Sequence, residues 1–198
     1  MSPRPDVSEE RKEQIIDAAT HVFARSGYAK ARMDDIAKET GVSKGTLYWY
    51  FKNKDAILLA ILDNLLDREL AAIRKLEQQP GSAREQLLAT IDITITDLKK
   101  MEPLTPLMFE FFSLAKRHKL IQKAIKEYFR KYMEVLNSII QRGMDQGEFK
   151  PGNPQDVSIA IGAILEGTFL LRVYDSKIVK LEEHIRSSVD LLLDGLLV

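Results

Sequence analysis

The stretch Gly41-Val42-Ser43-Lys44-Gly45-Thr46-Leu47-Tyr48-Trp49-Tyr50-Phe51-Lys52-Asn53-Lys54 decides how this chain folds. Gly41 accepts the left-handed backbone that a tight interhelical turn needs, so it ends the helix before it. Val42 is an apolar plug for that turn. Ser43 can cap the next helix by accepting hydrogen bonds from its first free N–H groups. That helix, Lys44–Phe51, is short. Leu47 and Phe51 stand four apart and share an inward face, which leaves Lys44, Thr46, Tyr48, Trp49 and Tyr50 largely on other faces. Just upstream, Met33–Thr40 predicts another short helix with Ile36 and Ala37 turned inward. Helix, glycine-containing turn, short helix is the helix-turn-helix arrangement. Small, hydroxyl and aromatic side chains at the start of the second helix suit a DNA major groove. A Thr methyl can touch thymine there, and hydroxyls can reach base edges or phosphates. The free N–H groups at the helix start also favour phosphate.

Outward from this stretch, nearly every segment predicts helix. Ile15, Ala18, Ala19, Val22 and Phe23 recur at three and four, and Gly27 stops the stripe. Ile57, Leu58, Ile61, Leu62, Leu65, Leu66 and Leu70 continue the pattern after Asn53. A break at Gln79-Pro80-Gly81 precedes Ser82-Ala83-Arg84-Glu85, a capping box. Ile91 to Thr96 alternates apolar and polar, which alone suggests a strand. Leu87, Leu88, Ile91, Ile95 and Leu98 also fit a helical stripe, and the length of the segment favours helix. Thr105-Pro106 predicts an N-cap followed by proline at the first helical position. Lys119–Gly143 is long and amphipathic. Asn153-Pro154 opens a helix running to about Val173. The last covers Ile178–Leu197, with Ile178, Leu181, Ile185, Val189, Leu192 and Leu196 on one face. The expected fold is all-α, of about nine helices.

Composition narrows the function classes. The 198 residues hold 29 basic and 29 acidic side chains and are 45% hydrophobic, as in a soluble globular protein. The absence of cysteine excludes disulfides, thiol nucleophiles and cysteine-bearing metal sites, and suits a cytoplasmic location. Met1–Lys12 has no apolar core, so no secretory signal is expected. No apolar run is long enough to predict a membrane partner. His21, His118 and His184 fall on different segments, and there is no glycine-rich phosphate loop or nucleophile elbow. No metal, cofactor or enzyme activity is therefore expected. The neutral total conceals a dipole: residues 25–54 carry seven basic and three acidic side chains, a local +4. Such a protein has little general affinity for DNA and depends on a compact set of contacts.

The quoted stretch resembles the signature of the TetR family of transcriptional regulators. Ile15-Ile16-Asp17-Ala18-Ala19-Thr20-His21-Val22-Phe23, Gly27-Tyr28 and Met33-Asp34-Asp35-Ile36-Ala37 are similar to the family pattern too, and the likeness covers roughly residues 11–60. The family commonly has His where this chain has Tyr50, whose hydroxyl still reaches phosphate. The resemblance implies a helix-turn-helix DNA-binding domain over 1–54 and a ligand-binding and dimerisation domain over 55–198. It implies a regulator, most commonly a repressor, that binds a palindromic operator as a homodimer and is released by a small apolar or amphipathic effector. By the same resemblance Tyr48, Tyr50 and Lys54 correspond to phosphate-contacting positions. Lys44, Gly45 and Thr46 are the candidates for base edges, with Ser43 at the helix start. Arg32 and Met33 stand where the second helix meets the backbone. Trp49 either lies against the sugar-phosphate rim or seals the interior of the head.

Two heads on a two-fold axis read half-sites about 10 bp apart or a multiple of that. The last two helices, about 154–173 and 178–197, are the expected dimer surface. Ile159–Val173 is apolar on more than one face, and Ala160, Gly162, Ala163 and Gly167 allow close approach. Leu192, Leu193, Leu196 and Leu197 add a second strip. The competing reading is monomer core. The resemblance places an effector in the middle bundle, where Leu62, Leu65, Ile91, Ile95, Leu98, Met108, Phe111, Phe112, Phe129, Met133, Leu136 and Phe169 are lining candidates or ordinary core. Thr94 and Glu166 are the polar members. Glu166 is either buried and paired, ligand-facing, or at the dimer seam. Residues 116–131 carry seven basic side chains against Glu127 alone. That cluster is a solvated helix face, or a seat for an anionic ligand such as the phosphates of an acyl-CoA.

Overall fold

A computed structural model describes residues 7–77 and 80–196. Gln79 of the first break and Leu197 of the C-terminal strip lie outside the described residues. Nine α-helices occur among the described residues: α1 (Val7–Ser26), α2 (Met33–Thr40), α3 (Lys44–Tyr50), α4 (Lys54–Glu77), α5 (Ala83–Met101), α6 (Thr105–Ala115), α7 (Lys119–Asp145), α8 (Pro154–Tyr174) and α9 (Leu181–Leu196). A 3-10 turn covers Glu102–Leu104.

Local signals explain most boundaries. Gly41 has φ 74°, and the N–H groups of Gly41 and Val42 return to the carbonyls of Lys38 and Ala37 at 3.3 and 3.1 Å. An L side chain would strain that backbone. Ser43 Oγ accepts from the Thr46 N–H at 3.0 Å, as an N-cap should. Both bonds of the Ser82/Glu85 capping box form. The Glu148 carboxylate also accepts from Ala83 and Arg84 N–H at 3.0 and 3.1 Å, so the start of α5 is doubly satisfied. The Ile91–Thr96 segment is helical because Ile91, Thr94 and Ile95 bury one face of α5. Its threonines stay satisfied by bonding back to carbonyls four residues earlier, Thr94 to Thr90 at 3.2 Å and Thr96 to Asp92 at 2.8 Å.

Two boundaries depart from expectation. The 3-10 turn runs straight into α6, so Leu104 takes the cap position and Thr105 is the first helical residue. The last helix begins at Leu181, not Ile178. The Asp175 carboxylate accepts from Lys177 and Ile178 N–H, and Arg172 holds the Ser176 and Val179 carbonyls. This side-chain turn replaces the first helical turn and leaves Ile178 exposed.

The described residues pack as two compact units, those within 1–66 and 103–125 and those within 67–102 and 126–198. In the first, Ile15, Val22, Phe23, Ile36, Leu47, Phe51, Ile57 and Ile61 form a core together with Leu107, Phe111 and Ile121. The boundary expected at 54/55 therefore falls inside a packed body, because α6 and the start of α7 bury against the head. The second unit has its own core, built on Ile73, Leu87, Ile91, Leu136, Ile139, Ile161, Ile185 and Leu193.

Candidate functional site

The head of the first unit carries the expected reading residues. Leu47 is fully buried and Phe51 nearly so, which fixes the roll of α3. Tyr48 is then 51% exposed and Trp49 73% exposed. Trp49 therefore lies outside the interior, edge-on to Tyr50 with ring centroids 4.6 Å apart. Tyr50 is half-buried against the core. Gly45 presents bare backbone, where an added Cβ would meet only Ser43 Oγ, at 3.8 Å. Thr46 is half-buried, and its hydroxyl lies 2.8 Å from that of Ser43. The Lys44 ammonium pairs with Asp34 of α2 at 2.6 Å. Both partners are well exposed, so the pair is worth little and a nucleic acid could displace Asp34. Arg25 and Glu39 form a similar exposed pair between α1 and α2. The backbone N–H of Arg32 donates to Asp35, while Met33 packs partly into the core.

Lys54, the expected phosphate contact, is engaged within the chain. Its ammonium donates to the carbonyls of Tyr28, Ala29 and Ala31 at 2.8, 3.2 and 3.3 Å and stands 4.4 Å from the Tyr28 ring centroid. The next residue, Asp55, accepts from the Tyr28 hydroxyl and lies 4.0 Å from His118 Nδ1. Burial first, then the Asp55 hydrogen bond and charge, hold the Tyr28 hydroxyl protonated far above its ordinary range. The N-terminus of α4 is thus a clasp on the α1–α2 turn.

The effector candidates divide between the units. Leu62 and Phe111 belong to the core of the first, where Leu65 and Met108 are half-buried and Phe112 is exposed. In the second, Ile91, Ile95, Met133 and Leu136 are core, Leu98 and Phe169 pack against it, and Phe129 is half-exposed. Thr94 is buried and hydrogen-bonds the Tyr132 hydroxyl at 3.1 Å. Glu166 is an exposed residue, yet partial burial of its carboxyl desolvates it enough to raise its pKa. The sequence reading missed Glu69, which is 7% exposed and accepts from Tyr128 at 2.7 Å. Burial raises its pKa foremost, against hydrogen bonds from Tyr128 and Thr94, with the charges of Asp97 and Glu166 adding to the rise. The signal was present: Glu69 stands on the same helical stripe as Leu62, Leu66 and Ile73.

At the proposed dimer surface, Leu193 is core, and Leu191 is the outward leucine of α9 at 72% exposed. Ile159, Leu170, Leu171, Val173 and Tyr174 of α8 are also exposed. The basic cluster is not uniformly unpaired. Arg130 is held by Glu127 and Glu134, and Lys131 stands 3.8 Å from Glu127.

A rigidly rolled recognition helix behind a glycine turn, with tyrosine, tryptophan and bare backbone outward, defines a helix-turn-helix DNA-binding protein. Residues 15–61 match the family model for bacterial regulatory proteins of the tetR family, and residues 86–181 match the tetracyclin repressor-like C-terminal domain. The fatty acid metabolism regulator protein of Bacillus subtilis is 30% identical over 139 residues, covering 70% of this chain and 71% of that protein. The structure of FadR from Bacillus subtilis in complex with stearoyl-CoA is 27% identical, with a TM-score of 0.78 over 92% of this chain and 98% of that one. A TetR transcription regulator from Haloarcula marismortui shares the fold, at 22% identity and a TM-score of 0.86 over 96% of this chain and all of that one. The chain belongs to the TetR family; it is a ligand-responsive transcriptional regulator and not an enzyme.

Proposed function

We propose that the chain is a cytoplasmic repressor that binds a palindromic operator as a homodimer and leaves it when a long-chain acyl-CoA binds. The outward Tyr48 and Trp49 on a helix locked by Leu47 carry the DNA half of this reading. Thr46, Gly45 and Lys44 read base edges. Tyr48 and Tyr50 hold phosphates, with Ser43 at the helix start, Arg32 and Met33 at the flank and Trp49 on the rim. The dimer forms through α8 and α9. An 18-residue window of α8 has mean hydropathy 1.6, yet only 22% of it is buried within the chain, so its free apolar face needs a partner. Glu166 lies on that helix at the seam.

The acyl chain lodges among Ile91, Ile95, Leu98, Met133, Leu136 and Phe169 of the second unit, with Thr94 toward its polar end. Adaptable Met and Phe side chains suit such a guest. The fatty acid regulators among the relatives support this class of effector. Its phosphates do not sit on Arg130, whose charge is already matched. A coupling of about 1–3 kcal/mol between effector and operator suffices for the switch. The test uses a palindromic duplex from upstream of the gene. Tyr48→Ala should weaken binding to all duplexes alike, while Thr46→Ala should blur the preference for the palindrome. Wild-type behaviour of both variants would overturn the assignment.

A further inference from the structure

Three turns converge in the first unit: α1–α2, α3–α4 and α6–α7. Asp55 at the start of α4 accepts from the Tyr28 hydroxyl on the α1–α2 side and lies 4.0 Å from His118 on the α6–α7 side. Lys54 binds three carbonyls of the α1–α2 turn. His118 stands just before α7, its carbonyl accepting from Gln122 N–H at 3.0 Å, and its own N–H returns to Leu114 at 2.8 Å. The α6–α7 turn is therefore pinned beside the head. Each of the three turns carries exposed basic side chains: Lys30 and Arg32, then Lys52, then Lys116 and Arg117, with Lys119 one residue beyond the last turn.

Charge makes this convergence informative. The first unit holds fourteen basic and eleven acidic side chains, a net +3. Lys116, Arg117, Lys119 and Lys123 supply four of those charges; without them the unit would stand at −1. The remaining basic residues are partly spent: Lys12 on Glu9, Arg25 on Glu39, Lys44 on Asp34, and Lys54 on backbone carbonyls. No ion pair among the described residues involves Lys116, Arg117, Lys119 or Lys123. The α6–α7 turn and the start of α7 thus offer a polyanion as many unpaired basic side chains, four, as the helix-turn-helix does with Lys30, Arg32, Lys38 and Lys52.

We propose that the α6–α7 turn is a second DNA-contacting element, in which Lys116, Arg117 and Lys119 bind the phosphate backbone flanking the half-site that α3 reads. This rests on the DNA-binding reading of α3 above. The turn carries no sequence information; it adds affinity and salt dependence while the head supplies preference.

The test is the full-length triple variant Lys116→Gln, Arg117→Gln, Lys119→Gln on the upstream palindromic duplex across a salt series. The side chains are exposed and unpaired, so the melting temperature should stay at the wild-type value. Affinity near 0.1 M salt should fall at least about tenfold. The slope of log affinity against log salt should flatten by about 0.9 for each phosphate that the variant no longer neutralises. Preference for the palindrome over a scrambled duplex should hold, and a hydroxyl-radical footprint should shorten outside the half-sites. A variant with wild-type affinity and slope overturns the inference and leaves the reading of α3 standing. So does a variant that binds DNA normally but binds palmitoyl-CoA more weakly, because the turn would then be an effector seat. Failure of the wild-type protein to bind any duplex overturns both.

Discussion

Replacing Lys54 by Met removes an ammonium but keeps most of the aliphatic stem, so it separates a structural clasp from a phosphate contact. In the structure the ammonium makes one short bond, 2.8 Å to the Tyr28 carbonyl, and two longer ones at 3.2 and 3.3 Å. A hydrogen bond to a charged group is worth about 1.5–3 kcal/mol. The ring of Tyr28 at 4.4 Å adds about 0.5–1 kcal/mol at an exposed site. Lys54 is half-exposed, and screening pulls the total toward the low end, about 2 kcal/mol. At about 2–4 °C per kcal/mol for a chain of this size, the melting temperature should fall by about 4–8 °C. DNA affinity should fall as the start of α2 loosens, but the salt dependence should keep its wild-type slope. Thermal melts read the first quantity and a salt series of fluorescence anisotropy the second. A melting temperature within about 1 °C of wild type, with a slope flatter by about 0.9 per protomer, would refute the clasp and restore Lys54 as a phosphate contact.

Two further outcomes follow from burial. Glu69 has its pKa raised by burial above the unfolded value of about 4.3, so the folded chain holds a proton that the unfolded chain releases. Stability is then greatest below the unfolded pKa and declines as pH rises through the folded one. Glu69→Gln keeps an acceptor for Tyr128 and removes this titration, so melting temperature should vary less with pH and exceed wild type at pH 8. A variant less stable at pH 8 with an unchanged pH profile would contradict it. Leu171→Glu places a charge on the exposed apolar face of α8. It should leave the fold intact by circular dichroism, shift sedimentation from dimer to monomer and abolish operator binding; a dimeric variant would remove α8 from the interface.

How far the sequence foretold this depends on the range of the forces involved. The α2–α3 pair was legible residue by residue, because Gly41, Val42, Ser43 and Leu47 act within one or two turns of chain. The capping box at Ser82 was legible for the same reason. What closes over the head was not: Leu107, Phe111 and Ile121 read as generic apolar stripes, and a stripe does not name its partner. The side-chain turn at Asp175 displaced the start of α9 because carboxylate and guanidinium bonds outcompeted one turn of helix. The outward tyrosine and tryptophan of α3 were legible once Leu47 and Phe51 were assigned inward. The bonds Lys54 makes within the chain were not, since its three acceptors lie 23 to 26 residues back.

The most direct test of a salt-sensitive, acyl-CoA-released repressor is anisotropy of the labelled upstream palindrome titrated with wild-type protein, at rising salt and then with palmitoyl-CoA. Binding should weaken steeply with salt, and palmitoyl-CoA should release the duplex with at least a tenfold loss of affinity, about 1.4 kcal/mol. Binding that ignores salt, or a complex that palmitoyl-CoA leaves untouched at saturation, would contradict it.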